Sequence, residues 1–128
     1  METKANFKGF MAENIAKTYL YETEMLTIYE GNQDDFDFIC MLKTNRSSIF
    51  GVLLKASQYT QAEILRKYKE IRKQSLKTEI PVLMMYINPV DRTGFFEFIK
   101  DKLGEQLTIL DSKNLKSAIA QISSQKAQ

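Results

Sequence analysis

The chain contains no histidine and a single cysteine, Cys40. Without histidine there is no Ser-His-Asp arrangement, no imidazole base near neutral pH, and few of the usual zinc ligand sets. One cysteine cannot close an intrachain disulfide. Cys40 lies in an apolar run, where a buried, inert thiol is expected rather than a nucleophile. Any chemistry therefore has to run on carboxylates, lysines and a hard cation. Long apolar runs are also missing: Ile80–Ile87 falls far short of the roughly 20 residues that span a bilayer. The N-terminal Met1-Glu2-Thr3-Lys4-Ala5-Asn6 has no apolar segment of the secretory kind, so a soluble, cytoplasmic protein without a membrane partner is expected. A net charge of +2 is too small to announce nucleic-acid binding by itself, so charge placement matters more than the sum.

What is present suits one domain over residues 1–128, with 44% hydrophobic and 27% charged residues. Asn6 to Glu22 carries Phe7, Phe10, Met11, Ile15, Tyr19 and Leu20 at helical spacing, with Asn6 as the expected N-cap. Met25–Glu30 is short and β-prone, and Gly31-Asn32-Gln33-Asp34 reads as a turn. Phe36–Leu42 and Ile49–Lys55 read as two strands joined by the polar turn Lys43–Ser47. The second is nearly all apolar and is expected to be central, covered on both faces. A helix capped by Thr60 or Ser57 is expected to run to about Lys77. Ile64, Leu65, Tyr68, Ile71 and Leu76 would form its apolar face, and Arg66, Lys67, Lys69, Arg72, Lys73 and Lys77 the opposite one. Pro81–Ile87 reads as a buried strand with Pro81 at its first position. Residues 88–94 form a loop, Phe95–Ile99 a strand or a short helix, Leu107–Leu110 a short segment, and Asn114–Ile122 a last helix before a frayed tail, 123–128. The first three strands should form an antiparallel meander, and the strand after the long helix should join parallel by a crossover. The fold class is α/β (α+β): a mixed sheet with helices on its faces.

The Asp35-Phe36-Asp37-Phe38 strand start and the Leu53-Leu54-Lys55 strand end carry the strongest pattern. Alternate residues on a strand share a face, so Leu53 and Lys55 point the same way. With Lys8-Gly9-x-x-Ala12-Glu13 before them and Ile80-Pro81-Val82-Leu83 after, in the order α-β-β-β-α-β, the chain resembles the PD-(D/E)XK superfamily of restriction-endonuclease-like and Holliday-junction-resolvase-like nucleases. The resemblance covers roughly Asn6 to Ile99, leaving 100–122 as a C-terminal extension. It implies a restriction-endonuclease-like fold. It also implies a site in which Asp37 and Glu13 hold Mg²⁺, Lys55 positions or activates the attacking water, and Lys8, Arg66, Lys69 and Lys73 meet DNA. Such chemistry needs two or more carboxylates converging on the metal, which binds the scissile phosphate and lowers the pKa of the water. Leu53 stands where the second acid of the motif belongs, and leucine cannot ligate a metal.

Each candidate also has a plainer role. Asp37 can begin a strand beside a turn, Lys55 can snorkel at a strand end, and Glu13 can sit on a helix surface. Gly9 can permit close helix packing. The basic helix face can be simply solvated. Phe95, Phe96 and Phe98 suit a core or a dimer contact, and the methionines, Met84 and Met85 among them, suit gaps in a core. Three functions follow. The favoured one is a nuclease-like fold with a degenerate motif, acting as a nucleic-acid-binding or interaction module, in a homodimer or alone, with little or no hydrolysis. The others are a Mg²⁺-dependent DNA endonuclease or junction resolvase using Asp37, Glu13 and Lys55, and a small structural or protein-interaction α/β domain.

Overall fold

The structure is a computed structural model and describes residues 4–30, 36–56, 58–75, 77, 80–99 and 107–126, with the side chains of 4–8 and 123–126 excepted. In chain order the elements are α1 (Lys4–Glu22), β1 (Leu26–Glu30), β2 (Phe38–Leu42), β3 (Ile49–Ala56), α2 (Gln61–Lys67), α3 (Lys69–Ser75), β4 (Val82–Asn88), β5 (Thr93–Ile99), β6 (Thr108–Ile109) and α4 (Ser112–Lys126). The strands form one six-stranded sheet in the order β1-β2-β3-β4-β5-β6. β1, β2 and β3 are an antiparallel meander, β4 joins β3 in parallel, and β5 and β6 return antiparallel. The mixed sheet, the meander and the parallel join after the helical segment are as the residue pattern predicts. Among the described residues, no helix is long and apolar enough to cross a membrane.

Strand alternation builds two cores. Phe38, Cys40, Leu42, Phe50, Val52, Leu83, Met85, Ile87 and Phe96 point to one face, under Ala12, Ile15, Ala16 and Leu20 of α1 and Leu115, Ile119 and Ile122 of α4. Val82, Met84, Tyr86 and Ile99 point to the other, under Ile64, with Leu65, Tyr68 and Ile71 packed alongside. β4 is buried from Val82 to Ile87 because helices cover both its faces, and Met84 and Met85 enter opposite cores. Phe96 is in the first core, and Phe98 meets Phe50 edge to face at 5.2 Å between centroids. Cys40 is wholly buried, and burial pushes its thiol up to about 12.

Several expectations change. α1 begins at Lys4, so Asn6 lies inside the helix and does not cap it. A Cβ on Gly9 would meet nothing within 4 Å, so this glycine does not serve close packing. The turn at 31–34, Ser57 and Leu76 lie outside the described residues. Thr60 is the helix cap: its Oγ1 accepts from the Glu63 amide at 3.3 Å while the Glu63 carboxylate accepts from the Thr60 amide at 3.1 Å. The long helix is two short ones, because the backbone opens at Tyr68 (φ −103°, ψ 20°). There the Tyr68 ring settles 5.4 Å from that of Tyr86. Phe95–Ile99 is a strand, and the last helix runs through Lys126 rather than fraying at 123.

The largest correction concerns Arg72. The sequence places it on the solvated basic face, but it is 2% exposed. Its Nε donates to Glu97 of β5, and its two Nη atoms donate to the carbonyls of Leu65 (2.7 Å) and Ile64 (3.1 Å). Those carbonyls belong to the last turn of α2, where the Ile64 carbonyl also accepts from the Tyr68 amide at 3.1 Å. The guanidinium therefore closes α2 and ties α3 to the sheet at once. Tyr86 completes the group by donating its hydroxyl to the same Glu97 oxygen at 2.9 Å.

Candidate functional site

The Asp37–Lys55 hairpin forms, and the structure shows what each residue does in it. The Asp37 amide donates to the Val52 carbonyl at 2.9 Å, which starts the β2–β3 ladder. Its exposed carboxylate then accepts from the Leu54 amide at 2.8 Å. An Asp oxygen thus stands in for the strand carbonyl that the ladder lacks at its open end. This brings Asp37 against the C-terminal half of β3, one residue from Lys55. Two substitutions separate this structural role from a metal-binding one. Asp37→Asn keeps an acceptor oxygen and should leave the urea midpoint nearly unchanged, whereas Asp37→Ala should lower stability by at most about 1 kcal/mol. Equal losses in both, measured by urea unfolding, would mean that the charge rather than the hydrogen bond matters.

Lys55 points away from the first core. Gly51, Leu53 and Lys55 share the face of β3 that α2 and α3 cover, and Leu53 is packed against that second core. The Lys55 ammonium lies 5.9 Å from the Tyr68 ring centroid, over the residue where α2 ends. A Cβ on Gly51 would come within 2.3 Å of the Phe36 ring, so this glycine leaves room for Phe36 to fold over the same face.

Glu13 belongs to the other layer. It is half-buried on α1, the helix that packs on the first core. One turn further, Lys17 pairs with Glu30 at the end of β1, and its ammonium is 5.1 Å from the Phe38 ring centroid. The hydrogen bond to Glu30 holds the Lys17 ammonium above its usual pKa, with Glu13 adding to the effect. The corner where β1 ends and β2 begins is thus occupied by a lysine between acids, a feature that the sequence reading passed over. Lys17 follows Glu13 by four residues, a spacing that puts both on one helix face and could have signalled the pair.

Against the needs of Mg²⁺, this set of donors fits poorly. Mg²⁺ takes near-octahedral oxygen ligands, usually one or two carboxylates with waters and substrate phosphate. One Asp37 oxygen already accepts an amide, Leu53 offers none, and Glu13 lies across the sheet from Lys55. Among the described residues, no group of three or more acidic, cysteine or histidine side chains could hold a metal. Asp34 and Asp35 lie outside the described residues.

Of the residues assigned to nucleic acid, Arg66, Lys69 and Lys73 are exposed on α2 and α3, and Lys73 lies 3.7 Å from Glu70. Lys67, also exposed, rests 4.1 Å above the Tyr59 ring centroid. The Lys8 side chain lies outside the described residues. Removal of Arg72 to the core narrows the basic surface without abolishing it. In comparisons with family models, curated proteins and solved structures, the chain matches none of them.

Proposed function

We propose that this chain is a nuclease-like-fold module that binds nucleic acid without hydrolysing it. The observation that carries this reading is the fate of the motif's middle position. Leu53 is seated against the second core, and the neighbouring Asp37 carboxylate is engaged by the Leu54 amide, so both hold the hairpin together. Hydrolysis would need those positions for metal ligands. Binding would need only cations on the surface, and the exposed Arg66 of α2 and Lys69 and Lys73 of α3 supply them. Backbone contacts of this kind release counterions, so affinity should fall steeply with salt.

The test pairs a cleavage assay with a binding assay. Supercoiled plasmid and branched DNA incubated with Mg²⁺ or Mn²⁺ should remain intact. Labelled DNA should be retarded at low salt, and Arg66→Glu with Lys69→Glu should weaken that binding by at least about tenfold. Cleavage that disappears in Asp37→Ala would overturn the non-hydrolytic reading in favour of a metal-dependent endonuclease. Absence of both cleavage and binding would leave a structural or protein-interaction domain.

A further inference from the structure

The helices α2 and α3 cover the second face of the sheet over β3, β4 and β5. Over β1 and β2 the same face carries a concave pocket of about 380 Å³, lined by Thr27, Tyr29, Met41, Leu42, Lys43 and Arg46. Its floor follows from strand pairing. Leu26 and Ile28 turn into the first core, so Thr27 and Tyr29 turn outward, and Thr27 stands directly opposite Met41 across the ladder. Tyr29 is 49% exposed, a large aromatic surface that the fold leaves uncovered. The volume lies within the roughly 300–1,000 Å³ of small-ligand sites.

The charge of the pocket is one-sided. None of the six lining residues is acidic, and two are cations. Among the described residues the ion pairs are Lys17–Glu30, Arg72–Glu97 and Lys73–Glu70, so neither Lys43 nor Arg46 is neutralised by one. The turn that presents them is held by hydrogen bonds. The Lys43 amide donates to the Met25 carbonyl at 2.9 Å, the Ser47 hydroxyl donates to the Asn45 side chain at 2.7 Å, and the Ser48 amide donates to the Asn45 carbonyl at 2.9 Å. An uncovered aromatic ring and two such cations lining one pocket match a ligand that joins a flat, apolar part to an anionic part. A nucleotide has that form, with its base for the Tyr29 ring and its phosphate for Lys43 and Arg46.

We propose that this pocket grips one nucleotide unit of single-stranded nucleic acid. The base would stack on Tyr29 with Met41 as an apolar wall, and the phosphate would bridge Lys43 and Arg46. A strand is preferred to a free nucleotide because the pocket is open and lies on the same side of the sheet as Arg66, Lys69 and Lys73. Those exposed cations can receive the neighbouring phosphates. A duplex hides its bases and could use the cations but not the ring. The proposal rests on the nucleic-acid reading above and deepens it, since it names the form of nucleic acid. Lys43 and Arg46 stand at the β2–β3 turn, the opposite end of that hairpin from Asp37 and Lys55, while Tyr29 lies further along the ladder, opposite Ile39.

The experiment measures binding of the full chain to fluorescein-labelled oligo-dT of twelve nucleotides by anisotropy, against the same length of duplex, adenosine monophosphate and inorganic phosphate. Oligo-dT should bind more tightly than duplex. Tyr29→Ala and Arg46→Ala should each weaken oligo-dT binding by about tenfold, as loss of a base–aromatic stack or a phosphate contact does. Tyr29→Phe should retain it. Both sites are exposed, and circular dichroism with thermal melting checks that the variants fold. Duplex binding that equals oligo-dT binding and ignores Tyr29→Ala would overturn the pocket and leave the nucleic-acid reading standing. Binding of adenosine monophosphate alone would overturn the strand in favour of a free nucleotide. Absence of binding by every probe would overturn both readings together.

Discussion

Arg72→Ala is expected to cost this protein about 3–5 kcal/mol, the range found when one partner of a buried ion pair is removed. Arg72 and Glu97 are both 2% exposed, so the remaining carboxylate would have little access to water. It already has one poorly placed atom: among the described residues, Glu97 Oε2 is buried without a hydrogen-bond partner. A domain of this kind is stable by only about 5–15 kcal/mol, so a loss of that size would leave a sizeable unfolded population at moderate temperature. Arg72→Met combined with Glu97→Leu should recover much of the loss, because no charge is then stranded. Recovery should be incomplete, since the Ile64 and Leu65 carbonyls lose the guanidinium and the Tyr86 hydroxyl loses its acceptor.

The same pair sets a pH dependence. Burial raises the Glu97 carboxyl above its usual 4.5, against the lowering by its hydrogen bonds from Arg72 and Tyr86. A carboxyl raised in the folded state contributes stability that is present below its unfolded pKa and fades as pH rises through the folded one. In Arg72→Met the main opposing influence is gone and the carboxyl rises further. The cost of this substitution should therefore be largest at neutral pH and shrink on acidification toward the carboxylate range. Urea midpoints of the parent and Arg72→Met at pH 5 and pH 7.5 would measure this. A penalty below about 1 kcal/mol, equal at both pH values, would mean that Glu97 reaches solvent and that the pair holds little.

Among the described glycines, Gly94→Ala should be the most damaging substitution. A Cβ on Gly94 would stand 2.2 Å from the Tyr86 carbonyl oxygen and 3.2 Å from the Ile87 Cα, atoms of the neighbouring strand that cannot swing aside. Its backbone φ is not positive, so space and not conformation demands glycine here. Relief requires β4 and β5 to separate. That would strain the Gly94 carbonyl, which accepts from the Leu110 amide at 2.9 Å, and displace Tyr86 from Glu97. The expected loss is about 3 kcal/mol or more, at or beyond the upper end for overpacking. Gly51→Ala gives the contrast. Its Cβ would also be too close, at 2.3 Å, but to the ring of half-buried Phe36, which can rotate. A loss of roughly 1–2 kcal/mol is expected there. Equal urea midpoints for the two variants would show that the β4–β5 pair yields as readily as a side chain.

Residue period and turn chemistry made much of this architecture legible. The two apolar runs Phe36–Leu42 and Ile49–Lys55, with a polar turn between them, predict the hairpin that forms. The unbroken apolar run after Pro81 predicts a strand buried on both faces, and β4 is one. Arg72 was also partly legible. It lies eight residues after Ile64, on the stripe that Ile64, Tyr68 and Ile71 define, and Glu97 is the one acid inside Phe95–Ile99. Grouping Arg72 with the lysines by charge hides its angle on the helix. The opening at Tyr68 was not legible, because nothing between Gln61 and Ser75 is a helix breaker and the ring that Tyr68 meets there, that of Tyr86, is on another element.

The candidate site divides in the same way. The sequence by itself determined that histidine chemistry and an intrachain disulfide are excluded, that an acid begins one strand of a hairpin and a lysine ends the other, and that a leucine stands two residues before that lysine. These are properties of residue identity and spacing, which no fold can alter. The tertiary structure decided that the Asp37 carboxylate caps the Leu54 amide, that Glu13 shares its corner with Lys17 and Glu30, and that Lys55 faces Tyr68 in the other layer. It also decided that a charged pair 25 residues apart in sequence is buried as one unit, and that Tyr29, Lys43 and Arg46 share a pocket. The reason is physical: local pattern fixes which way a side chain points from its own element. The partner it finds depends on which elements the sheet brings together, and that is settled only when both cores close.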